Sequence, residues 1–136
     1  MTERSIEIMA KTIYGEARGE YKKPNCGVRS LIAIGNVIMN RHNASGKSVE
    51  NVCLKRNQFS CWNPKDPNKK LIENSSTADP IFVLCYVLSK KLIESEIGDI
   101  TNGANHYYSK SVKIPPYWTA GHMPVFEIGN HIFFKI

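Results

Sequence analysis

Two glutamates lie four residues apart in the stretch IYGEARGE, residues 13–20, at the end of an apolar-faced segment. Apolar residues recur at helical spacing through this region and predict one buried stripe on a first helix. The stripe consists of Ile6, Met9, Ala10, Ile13 and Ala17. Glu16 falls at the edge of the stripe, where a carboxyl group loses hydration when ionised, so the position favours a neutral proton donor. A helix-end glutamate paired with a nearby cation or with solvent is the alternative interpretation.

Glu20 offers a second carboxylate close to the first. Residues four apart on a helix are neighbours, with Cβ atoms about 6 Å apart. Two carboxyl groups at such a distance can serve glycoside hydrolysis, one as acid and one as nucleophile or base. Helix neighbours point the same way, however, whereas the two groups of a glycosidase flank the sugar ring. A structural Glu20 that binds backbone N–H groups is therefore an equal alternative. Gly15 and Gly19 leave room for a ligand or another backbone, and Gly19 predicts that the helix ends there.

A second concentration of functional side chains is NQFSCW, residues 57–62. Asn57, Gln58 and Ser60 supply amide and hydroxyl groups, while Phe59 and Trp62 supply flat apolar faces. Sugars present hydroxyl groups at their edges and C–H groups on their faces, so this mixture suits carbohydrate. A polar loop anchored to the core by its two aromatic residues is the alternative.

The third concentration is GANHYYS, residues 103–109, in an aromatic region that predicts a strand. Strand alternation sends His106 and Tyr108 to one face and Tyr107 to the other. His106 is a candidate for substrate binding, although a single histidine also serves as a structural hydrogen-bonding residue.

Metal and cofactor chemistry has no support in the sequence. The histidines lack metal-ligand spacing, and no serine or cysteine nucleophile motif and no phosphate-binding glycine loop is present. The four cysteines form no C-x-x-C pair, so we expect no metal site, no cofactor and reduced thiols. Cys53 and Cys61 flank an irregular stretch and could pair in an oxidising environment. Cys85 lies in an apolar run and is predicted to be a core residue.

The elements that carry these residues are mostly helical. We predict a first helix capped by Thr2, a central buried helix at 28–41, and a short helix capped by Ser48. We also predict a long surface loop at 56–70, followed by a helix from Asp79-Pro80 to about residue 97. The last third is rich in aromatic and β-branched residues and predicts short strands. The predicted fold class is therefore α+β, mainly helical with a small β part near the C-terminus.

Length and charge narrow the range of partners. A chain of 136 residues, 42% of them hydrophobic, predicts one packed domain spanning residues 1–136. A net charge of +6, from 18 basic and 12 acidic residues, suits an anionic partner such as nucleic acid, a membrane surface or a cell-wall polymer. The basic residues are scattered, which argues against nucleic acid, and no apolar run is long enough for stable membrane insertion. The N-terminus resembles no secretion signal, so we expect synthesis in the cytoplasm, and we expect a monomer.

Several segments together resemble the cell wall hydrolase family, which includes the catalytic domain of the spore cortex-lytic enzyme. They are AKTIYGEARGE, SLIAIGNVIMNR, NQFSCW, GANHYYS and IGNHIFF, in the family's order across nearly the whole chain. The resemblance implies a lysozyme-like, lytic-transglycosylase-related fold that cleaves peptidoglycan. It also implies that Glu16 is the catalytic acid and that Glu20 supports it.

The resemblance further implies cleavage of the β-1,4 bond between N-acetylmuramic acid and N-acetylglucosamine. One carboxyl group would act first as acid and then as base and leave a 1,6-anhydro sugar. Hydrolysis with Glu20 or Asp66 as a second acid, or a non-catalytic module that binds glycan or nucleic acid, are the alternatives. The predicted substrate-binding residues are Glu20, Gln58, Phe59, Ser60, Trp62, His106, Tyr107 and Tyr108. A basic catalytic domain without a leader is also similar to a phage endolysin, which reaches the wall through a membrane pore.

Overall fold

The computed structural model describes residues 2–56 and 58–136. In these ranges the helices are α1 (Glu3–Tyr21), α2 (Gly27–Ser45), α3 (Val49–Leu54), α4 (Pro67–Glu73) and α5 (Pro80–Ile93), with 3-10 turns at Ser60–Trp62 and Tyr117–Thr119. The strands are β1 (His106–Ser109), β2 (Phe126–Ile128) and β3 (His131–Phe134). This arrangement confirms the predicted α+β class, mainly helical with a small β part near the C-terminus.

The first helix is the centre of the helical layer. Its N-cap is Thr2, as predicted, and the Thr2 side chain accepts a hydrogen bond from the Ser5 N–H. α1 packs against α2, α3, α4 and α5, so α1 rather than α2 has the central position that the sequence assigned to α2. The predicted end at Gly19 is also wrong, because α1 continues to Tyr21. The extra turn is stabilised by the buried carboxylate of Glu20, which binds residues beyond the helix.

The second helix extends one turn beyond the predicted end at Arg41. It ends at Ser45, and Gly46 follows in the left-handed conformation with φ of 71°. The Gly46 N–H donates to the His42 carbonyl oxygen at 3.0 Å, a common way for a helix to end at glycine. α3 then begins as predicted, since the Ser48 side chain accepts from the Asn51 N–H.

The predicted surface loop at 56–70 is largely structured and partly buried. Phe59 is 1% exposed and Cys61 is fully buried, because Phe59 and the 3-10 turn that follows it, Ser60–Trp62, lie against the core. α4 begins inside the predicted loop, where Asp66 caps the helix and Pro67 occupies its first turn. Asn57 lies outside the described residues.

The last predicted helix begins where expected but is shorter. Asp79 caps α5 and Pro80 occupies its first turn. The helix ends at Ile93 rather than near residue 97, and Ser95 then adopts a positive φ of 61°. No helix in the described ranges is both long enough and apolar enough to span a lipid bilayer.

The three strands form an antiparallel sheet in the order β1-β3-β2. β2 and β3 are joined by the two-residue turn at Gly129 and Asn130, and Gly129 has a positive φ of 55°. The predicted alternation of β1 is confirmed. His106 and Tyr108 both pack against Trp118, with ring centroids 4.9 and 6.1 Å away, whereas Tyr107 faces the helices.

Candidate active site

Glu16 lies where α1 meets the 3-10 turn at 60–62 and strand β1. Its Oε2 atom accepts a hydrogen bond from the Cys61 backbone N–H at 3.1 Å and one from the Ser60 hydroxyl at 3.3 Å. Its Oε1 atom accepts a hydrogen bond from the Tyr107 hydroxyl group. The sequence predicted an apolar setting for this half-buried carboxyl group, and the structure gives it three polar donors instead.

The close approach of the 3-10 turn to α1 depends on Gly15. A Cβ atom at this position would lie 2.6 Å from Cys61 Cβ and 2.9 Å from Ile72 Cγ2, which is too close for either neighbour. The turn has a second attachment one helical turn away, where Trp62 Nε1 donates to Thr12 Oγ1 at 2.9 Å. Gly15 was predicted to leave room for a ligand or another backbone, and it accommodates the side chains of Cys61 and Ile72. Gly19 instead faces open space.

Tyr107 supplies the hydroxyl donor from the sheet. Burial, followed by the neighbouring Glu16 carboxylate, raises the pKa of Tyr107 well above its usual value. Its hydroxyl group therefore stays protonated and available as a donor near neutral pH. The ring is held against Phe133 and Phe59, with centroid separations of 5.4 and 6.4 Å.

A cavity of about 330 Å³ opens beside Glu16. Its described lining is rich in amide, hydroxyl and aromatic groups: Gln58, Ser60, Asn63, Asn68, Tyr107, Tyr108 and Ser109. Glu16 is the only carboxylate among the described residues that line it. A single carboxyl group in a polar, partly aromatic cavity can transfer a proton to or from a bound sugar.

Residues 27–134 match the family described as Cell Wall Hydrolase. The chain belongs to this family. An enzyme was expected, and membership confirms it. The match begins after Glu16, so the role of that residue depends on geometry rather than on the family match.

Two solved structures share the fold of this cell wall hydrolase. One is the catalytic domain of the Bacillus cereus SleB protein, with a TM-score of 0.72 and 20% identity, covering 99% of this chain and 92% of that chain. The other is the catalytic domain of the germination-specific lytic transglycosylase SleB from Bacillus anthracis, with a TM-score of 0.69 and 19% identity, covering 99% and 97%. A comparison with curated protein sequences gives no match. The structural likeness confirms the expected fold.

Four of the predicted substrate-binding residues lie around the Glu16 cavity of the hydrolase. They are Gln58, Ser60, Tyr107 and Tyr108. Phe59 is 1% exposed, which favours the alternative that it anchors the turn to the core, and it lines a neighbouring cavity together with Trp62. Trp62 and His106 line two separate neighbouring cavities.

Glu20 points away from the cavity toward the β2–β3 turn. Its Oε2 atom accepts from the Asn130 N–H at 3.1 Å, and its Oε1 atom lies 3.0 Å from Lys23 Nζ. Burial opposes ionisation of this group, but the hydrogen bonds from Lys23 and Asn130 outweigh it and lower the pKa of Glu20. A Cβ atom on Gly129 would overlap Glu20, so the turn and the carboxylate fit each other. These contacts favour the structural alternative for Glu20.

Sequence reasoning missed Arg41 and His131, which both line the Glu16 cavity. Arg41 Nε donates to the Asn105 carbonyl oxygen at 2.7 Å, and its guanidinium carbon lies 5.0 Å from the Phe59 ring centroid. Burial lowers the pKa of both residues. At neutral pH Arg41 is still charged, and His131 is neutral beneath Tyr107. The available signal for Arg41 was a cation that directly follows the mostly apolar run LIAIGNVIMN.

Among the described residues, no group of three or more His, Cys, Asp or Glu side chains is arranged to hold a metal ion. The four cysteines are free thiols, and Cys85 is a core residue as predicted. Burial raises the pKa of Cys53 and of Cys85 to about 12, so these thiols stay neutral and unreactive.

Proposed function

We propose that this protein cleaves the β-1,4 bond between N-acetylmuramic acid and N-acetylglucosamine in peptidoglycan, as a lytic transglycosylase. Glu16 is the single catalytic residue, and residues 1–136 form one catalytic domain. The observation that carries the proposal is the isolation of Glu16, the one carboxylate among the described residues around a polar cavity. The name of the Bacillus anthracis relative, a lytic transglycosylase, supports the same reaction class.

The reaction begins with Glu16 as general acid. The neutral carboxyl group donates its proton to the glycosidic oxygen, the bond from that oxygen to the anomeric carbon breaks, and positive charge develops on that carbon. The carboxylate left behind then takes the proton from the 6-hydroxyl group of the same sugar. The hydroxyl oxygen bonds to the anomeric carbon and closes a 1,6-anhydro ring. No water is consumed, and Glu16 regains its proton.

The hydrogen-bond donors around Glu16 give its two oxygen atoms different roles in the proton transfer. The Cys61 N–H is a fixed donor, so Oε2 stays an acceptor throughout. The Tyr107 hydroxyl group can rotate, donating to an ionised Oε1 and accepting from a protonated one. Oε1 is therefore the atom that carries the transferred proton.

The two acids considered as second catalytic groups for hydrolysis, Asp66 and Glu20, are both hydrogen-bonded to other residues. Asp66 Oδ1 accepts from the Asn68 N–H at 2.8 Å as the cap of α4. Glu20 is bound to Lys23 and Asn130. Neither acid lines the Glu16 cavity, which favours the mechanism with one carboxyl group over the mechanism with two.

Glu16→Gln tests the proposal because it keeps the shape and removes the acid. Cleavage of purified peptidoglycan should fall by about a thousandfold or more, since a glutamine amide can neither donate nor recover the proton. The matched control is Glu7→Gln, the same change at an exposed position on the same helix, which should retain full activity. Mass spectrometry of the products should show 1,6-anhydro-muropeptides from the wild type.

Products with reducing ends alone would replace transglycosylation by hydrolysis. Full activity in Glu16→Gln would remove Glu16 from the mechanism, and binding without any cleavage by the wild type would indicate a glycan-binding module. Release through a membrane pore, as in an endolysin, and the monomeric state stay predictions.

A further inference from the structure

We infer that a second cavity, adjoining the one at Glu16, binds the carboxylates of the peptide stem carried by muramic acid. The inference rests on the proposed function and adds to it a preference among substrates. The cavity has a volume of about 460 Å³ and lies between the end of α2, helix α3 and the start of β1. Arg41 and Gln58 line both cavities, so a ligand that fills the second one lies next to a sugar bound at Glu16.

The second cavity is cationic. Arg41, Lys47 and Lys55 line it, and no Asp or Glu is among its described lining residues. Neither lysine forms an ion pair in the part of the chain that the structure describes. Each charge is therefore available to an external anion, and the cluster favours a ligand with more than one carboxylate.

Arg41 has donor capacity that the fold does not use. Its Nε atom donates a hydrogen bond to the Asn105 carbonyl oxygen. Its Nη1 atom is buried and has no hydrogen-bond acceptor among the described residues. A buried unpaired donor destabilises a protein, so its retention here fits a group kept for a ligand.

Lys47 is held on the rim of the cavity by the turn between α2 and α3. Its backbone N–H donates to Ser45 Oγ at 3.1 Å, and His42 Nδ1 lies 2.5 Å from its carbonyl oxygen. Lys55 directly follows the last residue of α3 at the opposite end of that helix. The two ammonium groups therefore start from fixed backbone positions at the two ends of one short helix.

The remaining lining groups suit a peptide rather than a bare ion. Asn51, Gln58 and Asn105 offer amide donors and acceptors for peptide N–H and C=O groups. Burial, followed by the nearby charges of Arg41 and His122, lowers the pKa of His106, so its ring is neutral near pH 7 and also both donates and accepts. The stem is joined to the same muramic acid whose glycosidic bond is cleaved, and it carries free carboxylates, so its chemistry matches a cationic cavity that adjoins the Glu16 cavity.

The test is the double variant Lys47→Gln with Lys55→Gln, assayed on two substrates. One is glycan strands that carry peptide stems, and the other is the same strands after enzymatic removal of the stems. The ratio of kcat/KM on stem-bearing strands to kcat/KM on bare strands should fall about tenfold, since two charge contacts each have a modest effect. Both lysines are exposed, so the variant should fold like the wild type.

The matched control is Lys90→Gln with Lys91→Gln, which removes the same charge from exposed positions on α5. Its substrate ratio should equal that of the wild type. The inference is overturned if this substrate ratio is the same in the Lys47 and Lys55 double variant as in the wild type. It is also overturned if the wild type cleaves stem-bearing and bare strands equally well. Either result leaves the proposed function intact. A wild type that cleaves neither strand overturns the proposed function as well. Loss of DNA binding in gel shifts with no change in the ratio would assign the cavity to nucleic acid instead.

Discussion

At the scale of single residues, the groups that donate hydrogen bonds to Glu16 come from distant parts of the chain. The three donors to its carboxylate are separated from it by 44, 45 and 91 residues along the chain. Helical spacing was enough to single out Glu16, because the stripe of residues that it borders is local. The identity of its donors was beyond such reasoning, since only the tertiary fold brings Ser60, Cys61 and Tyr107 to one point.

Tyr107→Phe should lower kcat about tenfold to a hundredfold and change KM little, because the ring keeps its packing while Oε1 loses the hydrogen bond from the Tyr107 hydroxyl group. Steady-state kinetics on purified glycan strands measures both constants. The matched control is Tyr14→Phe, which removes a comparable hydrogen bond from α1 to Asp79, away from the site. That variant should lose stability and keep kcat. A rise in KM alone for Tyr107→Phe would make the hydroxyl group a substrate contact.

At the scale of elements, the sequence predicted the starts of helices better than their ends. Thr2, Ser48 and Asp79 are caps whose signal lies within a few residues. The end of α1 was mispredicted because the distant contact of Glu20 with Asn130 outweighs the local preference of Gly19. The start of α4 was overlooked although Asp66-Pro67 repeats the Asp79-Pro80 pattern, because the surrounding asparagines and lysines indicated a loop.

Gly15→Ala should destabilise the protein by about 2 kcal/mol or more and reduce activity with it, since the new Cβ pushes the 60–62 turn and its donors away from Glu16. Urea denaturation measures the free energy of unfolding. Gly19→Ala is the matched control on the same helix, where a Cβ meets nothing within 4 Å. It should raise stability by about 0.5–1 kcal/mol. Equal effects of the two changes would refute a special role for the approach at Gly15.

At the scale of the whole molecule, stability depends on carboxylates that bind across the fold. Burial opposes ionisation of Glu20 and Asp99, but their hydrogen bonds outweigh it and lower the pKa of each. The hydroxyl group of Ser5 lowers the pKa of Glu50, and that of Tyr14 lowers the pKa of Asp79. The net charge of +6 hinted at an anionic partner, but it contained no information about these internal contacts.

The melting temperature should fall gently as the pH drops below about 6.5, because burial lowers the pKa of His106 and of His131, so these histidines protonate less readily in the folded state. It should fall steeply below about pH 5 as the carboxylates protonate. Each of these acids has a folded pKa below its ordinary value of 4.5 or 3.8, so its contribution is complete above that value and is lost as the pH falls through the folded pKa. Calorimetry between pH 7 and pH 3 checks this. Glu20→Gln should melt at a lower temperature at pH 7 and lose less on acidification. A melting temperature that rises toward pH 3 would contradict the assignment.

The middle strand of the sheet, β3, is the last one in the chain, and β1 and β2 both pair with it. A ribosome must therefore synthesise residues 131–134 before the strand bearing Tyr107 acquires its neighbour. Chains that stop short of β3 contain Glu16 but lack the strand pairing that positions Tyr107 beside it. The hydrogen-bonded frame proposed to orient Glu16 is therefore complete only after synthesis has passed β3, long after Glu16 itself has been made.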